Sequence, residues 1–212
     1  MRTACVFLAL AAAAFGQAKP DPMAEVPDEP GLPRVLLIGD SISIGYTLPV
    51  RELLRGKANL HRIPENGATT ATGVAKLDGW LGSGKWDVIH FNFGLHDVKI
   101  MEDGKRQVEP AAYEANLRQI VARLKRTGAR LVFATTTPVP DATQNPPRRS
   151  ADVPAYNSLA RRVMESEGVD IDDLYGLALS RVTEIQRPAN VHFTDPGYEV
   201  LARQVAEAVR TR

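Results

Sequence analysis

The stretch Val35-Leu36-Leu37-Ile38-Gly39-Asp40-Ser41-Ile42-Ser43 joins four apolar residues to a Gly-Asp-Ser turn. The apolar run is too short for a helix and is bounded by Pro33 and Gly39, which predicts a central strand of a parallel sheet. Ligands bind at the carboxyl ends of the strands in open α/β sheets, and Ser41 directly follows such an end. The sequence therefore predicts an accessible serine at a ligand-binding edge. The alternative is that Asp40 and Ser41 only cap the next helix.

Strands and helices alternate after this turn. The alternation predicts right-handed βαβ crossovers and a five-stranded parallel sheet with flavodoxin-like strand order, as the middle layer of a three-layer α/β/α sandwich. We expect Pro49 in the first turn of a helix that reaches Arg55, and Asp195 as the N-cap of the last helix. Strands are expected at 35–38, 58–62, 86–93, 131–134 and 169–171, and further helices at 72–81, between 110 and 128, at 154–167 and at 196–209, with an irregular segment before the last helix.

The composition is that of one soluble globular domain, since 44% of the 212 residues are hydrophobic and 24% are charged. The 26 Lys and Arg residues are balanced by 25 Asp and Glu residues, without a basic run or stripe. Because contact with a phosphate backbone needs clustered positive charge, we expect no nucleic acid partner.

The N-terminus has the layout of a secretory signal peptide, with Met1-Arg2, an apolar stretch from Ala4 to Phe15, and small residues after it. The apolar stretch is shorter than the roughly 20 residues of a membrane span. We interpret residues 1–18 as a signal peptide, 19–33 as a proline-rich linker and 34–212 as the folded domain. Cys5 is the one cysteine, so the exported chain would have no thiol, thiolate metal site or disulfide.

The unusual polar loops all fall at one edge of the predicted sheet, together with Ser41. A serine hydroxyl becomes a good nucleophile only when a base accepts its proton and fixed donors stabilise the oxyanion that forms. Of the four histidines, His61 and His90 fall in predicted strands, which favours structural roles. His96 and His192 fall in loops, and His192 directly precedes the last helix on the ligand side, so it is the candidate base.

These residues resemble the SGNH or GDSL hydrolases, a family of serine esterases, over nearly the whole exported chain. Gly39-Asp40-Ser41-Ile42 is similar to the block that carries the nucleophile and one backbone oxyanion donor. Gly67, in Asn66-Gly67-Ala68, matches the glycine whose N–H is a second donor. Gly94-Leu95-His96-Asp97 falls where the family usually has Gly-x-Asn-Asp, so the resemblance implies that His96 replaces the asparagine that supplies the third donor.

The segment from Val191 to Gly197 is similar to the family block in which the histidine is the general base. The family's acid normally lies three residues before that histidine, but this position is Ala189. Asn190, Glu184 or a backbone carbonyl must then orient His192, and a Ser41–His192 dyad is the conservative interpretation. Asp40, Asn66, Asp97 and Asn190 are expected to support the site.

Two alternatives belong to other classes of protein. His90, His96, Asp97 and His192 could form a metal site, although no close-spaced ligand motif is present. A secreted carbohydrate-binding module could also keep the fold without catalysis, since fold does not guarantee function.

The resemblance implies a serine esterase that acts on a small-molecule or polysaccharide ester and needs no metal or organic cofactor. The signal-like N-terminus predicts that it is secreted or periplasmic, and we expect a monomer. We expect short acyl groups, mainly acetyl groups on carbohydrate, because no long apolar segment is present to dock lipid. A lysophospholipase or arylesterase is the alternative within the family. Tyr46, Trp80 and Trp86 are possible sugar platforms, though core positions are favoured for all three, and Arg148 and Arg149 lie in a proline-rich loop expected to overhang the site.

Overall fold

The computed structural model describes residues 20–141 and 145–210. The predicted signal peptide and Cys5 lie outside these residues. Within the described residues, no helix combines the length and the apolar character that crossing a membrane requires.

The centre of the fold is a sheet of five strands, all parallel. Its strands are β1 (Arg34–Ile38), β2 (Asn59–Arg62), β3 (Val88–Phe91), β4 (Arg130–Ala134) and β5 (Asp170–Asp172). Their order is β2-β1-β3-β4-β5, and β1 is an interior strand that pairs on both sides, with Val35 opposite Leu60 and Val88. The predicted flavodoxin-like α/β sheet is confirmed.

In the part of the chain that the structure describes, seven helices cover the two faces of the sheet. They are α1 (Ser41–Leu53), α2 (Thr70–Leu81), α3 (Pro110–Lys125), α4 (Asp152–Glu167), α5 (Leu174–Ser180), α6 (Val182–Ile185) and α7 (Asp195–Ala208). Helix α1 packs against α7, while α2, α3 and α4 pack side by side in a second layer. The buried strands between these layers leave their loops as the accessible part of the sheet edge.

Three local predictions were wrong. Helix α1 begins at Ser41 and contains Pro49 in its interior, because the Asp40 cap and the buried side chains of Ile42 and Tyr46 fix its first two turns. The N-cap of α7 is Thr194, whose hydroxyl accepts from the N–H of Gly197 at 3.1 Å. The segment expected to be irregular contains the short helices α5 and α6.

The proline-rich segment contains no helix or strand between residues 20 and 33, but it contacts the domain. The Asn59 side chain accepts from the N–H of Glu29 at 2.8 Å and donates to the Glu29 carbonyl at 3.0 Å. His61 Nε2 lies 2.6 Å from Asp28 Oδ1. The segment is therefore attached to the outer edge of β2.

The other strand histidine, His90, is fully buried. Its Nε2 lies 2.9 Å from Asp172 Oδ2, so its hydrogen bond joins β3 to β5 inside the core. Tyr46 and Trp80 are buried too, and the Trp86 ring lies under the Arg34 guanidinium. Tyr46 and Trp80 belong to the core and Trp86 packs against it, as the sequence favoured.

Candidate active site

The serine turn is built by the end of β1 and the start of α1. The chain leaves β1 at Ile38, turns through Gly39, and enters the helix at Ser41, a half-buried position. Asp40 is 2% exposed and caps α1 by accepting from the N–H of Ile42 at 2.9 Å. Burial raises the pKa of this carboxyl, while the Ile42 N–H, Arg148, Arg62 and Lys99 lower it. Asp40 and Ser41 therefore do cap a helix, and this cap also presents the serine at the sheet edge.

Two donors clamp the carbonyl of Gly39 below the serine. The N–H of Gly67 donates to it at 3.0 Å, and Arg62 Nη2, from the end of β2, donates at 3.2 Å. A Cβ on Gly67 would lie 3.0 Å from the same oxygen, so glycine is needed for this approach. Arg62 was not anticipated from the sequence, where its place at the end of a weak strand was the available signal.

This geometry bears on the second predicted oxyanion donor. The Gly67 N–H is engaged by Gly39, and the next N–H, that of Ala68, donates to Asn66 Oδ1 at 2.9 Å. Asn66 thus shapes its own turn. The donation of Gly67 to a substrate oxyanion stays a prediction that requires this N–H to be shared or released.

His192 contacts both Ser41 and Asn190. Its Nε2 lies 2.9 Å from Ser41 Oγ, and its Nδ1 lies 2.8 Å from Asn190 Oδ1. Glu184, another candidate for orienting the ring, is instead paired with Arg181. The three side chains form a connected Asn190–His192–Ser41 chain, in which an amide occupies the place of an acid.

The hydrogen bonds of Asn190 also define the proton position on His192. Asn190 Oδ1 accepts from the backbone N–H of His192 at 2.9 Å, so the amide oxygen, not the amide nitrogen, faces the histidine. An oxygen acceptor requires the proton of the neutral ring on Nδ1. The lone pair of Nε2 is then free to accept the hydroxyl proton of Ser41.

The charge environment keeps His192 neutral. Burial lowers the pKa of the imidazole, and the nearby Arg187 and Arg148 lower it further. A neutral ring at pH 7 is the form that can accept a proton, so the same surroundings that weaken the base keep it available.

His96 lies in the loop after β3, where its ring contacts Lys99. The distance from Lys99 Nζ to His96 Nδ1 is 2.9 Å. Burial, followed by the charges of Lys99, Arg148 and His192, lowers the pKa of His96 to about 4. The charge of His192 is the smallest of these contributions.

The loop that carries His96 is fixed at both ends. Gly94 has φ of 147°, and a Cβ there would lie 2.2 Å from Thr136 Oγ1, so another residue would not fit. Asp97 is fully buried, and its Oδ1 accepts from the Thr70 N–H at 2.9 Å and from the Thr70 hydroxyl at 2.6 Å. Burial raises the pKa of Asp97 to about 6. Asp97 thus joins this loop to the start of α2.

The proline-rich loop after β4 covers the same region. Arg148 Nε donates to the carbonyl of Leu95 at 2.8 Å, and the carbonyl of Pro147 accepts from the N–H of Ile100 at 2.8 Å. Arg148 is half-buried, whereas Arg149 is exposed. The loop therefore lies against the residues on either side of His96.

The proposed metal ligands do not come together. His90 is in the core with Asp172, and Asp97 is engaged by Thr70. Over residues 20–141 and 145–210, no group of three or more His, Cys, Asp or Glu side chains is arranged to hold a metal ion. The arrangement around Ser41 instead provides a hydroxyl and an imidazole nitrogen in contact with it, the pair that nucleophilic acyl transfer requires.

Comparison with known proteins identifies the class. Residues 37–200 match the model of the GDSL-like lipase/acylhydrolase family. The chain belongs to this family, and it is a carboxylic ester hydrolase. A search of curated protein sequences finds no match.

Solved structures share the fold at low sequence identity. The acetyl xylan esterase AlAXEase is 18% identical, with a TM-score of 0.71 over 83% of this chain and 99% of its own. A lipase/acylhydrolase from Enterococcus faecalis is 20% identical, with a TM-score of 0.70 over 83% and 94%. The acetylxylan esterase Axe2 from Geobacillus stearothermophilus is 18% identical, with a TM-score of 0.69 over 85% and 95%. Two further structures are catalytic mutants of Axe2, in which a histidine or a serine is replaced by alanine.

Proposed function

We propose that this esterase removes short acyl groups, chiefly acetyl groups on carbohydrate, through an acyl-enzyme on Ser41. The observation that carries the mechanism is the 2.9 Å contact of Ser41 Oγ with His192 Nε2, together with the Asn190 acceptor on the other ring nitrogen. The catalytic mutants of Axe2, at a serine and a histidine, support the same pair of roles in this chain.

In the proposed reaction, Ser41 Oγ attacks the ester carbonyl while its proton passes to His192 Nε2. The oxyanion accepts from the Ser41 N–H, at the first turn of α1, and from His96, with Gly67 as a third donor once its N–H is released. His192 then protonates the leaving alcohol as the carbon–oxygen bond breaks. In the second half, water attacks the acyl-enzyme and gives its proton to His192, which passes it to Ser41 Oγ as the acyl–oxygen bond breaks, and the carboxylic acid and the free serine are released.

Asn190 acts in this cycle through hydrogen bonding alone. Its amide oxygen fixes the Nδ1–H form of His192 but adds no negative charge to stabilise the imidazolium that forms. We therefore propose a triad in which orientation is kept and charge stabilisation is reduced.

The surface favours a small acyl group. Among the described residues, the exposed large hydrophobic side chains are Leu53 in α1, Met101 in the loop after β3 and Leu179 in α5, three positions far apart along the chain and not one exposed apolar run that could form a patch. A long acyl chain would need such a patch to leave water. Acetyl xylan esterases with the same fold support the choice of acetylated carbohydrate.

The test is kcat/KM over an acyl series, from acetate to a long-chain ester on one aryl leaving group, followed by acetylated polysaccharides. We expect a maximum at acetate, and loss of all hydrolysis in Ser41→Ala with an unchanged unfolding temperature. A steady rise with chain length would favour the lysophospholipase or lipase-like alternative. Full activity of Ser41→Ala would refute the mechanism.

Export is part of the proposal, based on the signal-like residues 1–18. The expected product is a secreted or periplasmic protein whose N-terminus begins near residue 19. Fractionation of expressing cells and N-terminal sequencing of the accumulated protein test this. A cytoplasmic protein that retains residues 1–18 would contradict it.

A further inference from the structure

Lys99 lies one turn after His96, and its side chain returns to the ring. The N–H of Val98 donates to the carbonyl of Gly94 at 3.0 Å, and the N–H of Lys99 donates to the carbonyl of His96 at 3.2 Å. The loop therefore forms a helical turn here. Side chains three residues apart in such a turn lie on the same side. This geometry produces the 2.9 Å contact of Lys99 Nζ with His96 Nδ1.

The chemistry of the two groups fixes the proton on His96. An ammonium group has three donors and no acceptor, so Nδ1 must present its lone pair to Lys99. A neutral imidazole has one N–H, which must then be on Nε2. The ring therefore offers a donor on the side away from Lys99.

The surroundings maintain both protonation states. The lowered pKa of His96 keeps the ring neutral at pH 7. The pKa of Lys99 is lowered by burial and by Arg148, while the carboxyl groups of Asp40 and Asp97 favour its charged form. An ammonium donor beside a neutral ring is thus the consistent pairing.

Which nitrogen of His96 carries the proton matters because the other candidate oxyanion donors are already hydrogen-bonded. The N–H groups of Gly67 and Ala68 are engaged by Gly39 and Asn66. If the His96 proton were on Nδ1, the Nε2 lone pair would repel an oxyanion instead of stabilising it. An asparagine, the residue that the resembling family usually has here, has no such choice of tautomer, because its amide nitrogen always carries its protons.

We propose that Lys99 is a positioning residue that holds neutral His96 with its proton on Nε2, so that this nitrogen can donate to the oxyanion of ester hydrolysis. The proposal rests on the proposed function of the serine site. Lys99 polarises the ring as well, because a cation on Nδ1 makes the Nε2–H a stronger donor. A histidine and a lysine together then replace one asparagine.

The first test reads the proton directly and does not depend on activity. Nitrogen-15 NMR of the histidine side chains, assigned with His96→Asn, should show His96 unprotonated at Nδ1 and protonated at Nε2 at pH 7. In Lys99→Met the His96 pKa should rise and the Nδ1 resonance should move. A proton on Nδ1 of His96 in the parent protein would overturn the proposal.

The second test is a double-mutant cycle on aryl acetate. Lys99→Met should lower kcat roughly ten- to a hundredfold with little change in KM, the range expected for one charged hydrogen bond. In a His96→Asn background the same change should cost almost nothing, because an amide needs no tautomer control. Lys105→Met is the matched control, since Lys105 is an exposed lysine of the same loop that lies near Asp103.

The possible results distinguish failure of the Lys99 proposal from failure of the proposed esterase function. Equal loss from Lys99→Met in both backgrounds would assign Lys99 a purely structural role and refute the inference, as would no loss in either. If the parent hydrolyses no ester, the proposed function fails, while the NMR measurement still decides whether Lys99 controls the His96 proton.

Discussion

His192 and His96 are chemically identical side chains for which we propose opposite tasks. The Nδ1 of His192 meets an acceptor, Asn190 Oδ1 at 2.8 Å, so the ring presents a lone pair to Ser41. The Nδ1 of His96 meets a donor, Lys99 Nζ at 2.9 Å, so that ring presents an N–H. The comparison teaches that the partner on the far nitrogen, not the histidine itself, decides whether the ring can act as a base or as an oxyanion donor.

Both rings are also held in the neutral form. Burial and nearby cations lower the pKa of both histidines, so both are neutral near pH 7. Neutrality is needed for opposite reasons, because a base needs a free lone pair and a tautomer-controlled donor needs a single N–H. The cations around the site therefore favour the neutral form of both rings.

The largest expected effect is the difference in kcat between variants of His192 and variants of His96. His192→Ala should lower kcat by about four to six orders of magnitude, because nucleophile and base act as one unit. His96→Ala should cost roughly a hundred- to a thousandfold, the usual cost of one oxyanion donor, and His96→Asn should retain far more activity. Steady-state kinetics on aryl acetate measures this.

The control for this pair is His61→Ala, which removes a histidine of the edge strand β2 whose ring is paired with Asp28, and it should leave kcat near that of the parent. Equal losses from His96→Ala and His96→Asn would show that His96 does not act through an N–H donor. Losses of equal size at His96 and His192 would remove the distinction between them.

A smaller effect concerns the acceptor on His192. Asn190→Ala should lower kcat roughly ten- to a hundredfold, because it removes the hydrogen bond that fixes the ring. Asn190→Asp should keep that bond and add a negative charge, which raises the pKa of His192. The acid limb of the kcat/KM profile reports the pKa of the base, so it should move to higher pH in this variant.

The pH profiles of the parent and Asn190→Asp measure this shift. In the parent, the lowered pKa of His192 places the acid limb below the ordinary histidine value of 6.5. An acid limb that is unchanged, or displaced to lower pH, in Asn190→Asp would mean that Asn190 does not contact the catalytic base in solution.

The last expected effect is on stability and not on kcat, and it comes from Asp97, the carboxyl that anchors the His96 loop. The folded protein raises the pKa of Asp97 from 3.8 to about 6, so the folded state binds this proton more tightly than the unfolded chain does. Ionisation of Asp97 therefore lowers stability as the pH rises from about 4 to about 6, and the loss is complete above that range. Asp97→Asn keeps an oxygen acceptor for Thr70 and has no such ionisation.

Chemical denaturation of the parent and Asp97→Asn across pH 4 to 7 tests this. The difference in unfolding free energy should shift in favour of the variant as the pH rises, by an amount on the order of 3 kcal/mol. A constant difference between the two proteins would show that Asp97 titrates normally.

The sequence predicted what depends on local pattern. Buried parallel strands are apolar runs, so the sheet and the position of Ser41 at its edge followed from the stretch around Leu36. The start of α1 was missed because Pro49 is a strong local signal, while the burial of Tyr46 that overrides it is tertiary. Local signals thus located the strands better than the helix ends.

The supports of the site could not be predicted because they depend on contacts between loops. Asn190 was one of several candidates to orient His192, and only its position beside Nδ1 distinguishes it from Glu184. Arg62 reaches Gly39 from another strand. Lys99 had a readable signal, the His-x-x-Lys spacing, but its meaning required the helical turn that the structure shows.

The attachment of residues 20–33 to β2 covers part of an edge strand of the sheet. β2 is an edge strand, and its outer carbonyl at Leu60 accepts from Arg51 Nε at 3.2 Å, while Arg51 Nη2 holds the Ala24 carbonyl at 3.0 Å. Open strand edges invite pairing with another chain, and covering them prevents aggregation. We expect a chain shortened to begin at Arg34 to keep every residue of the proposed site but to expose more of this edge, and therefore to pair with a second chain more readily.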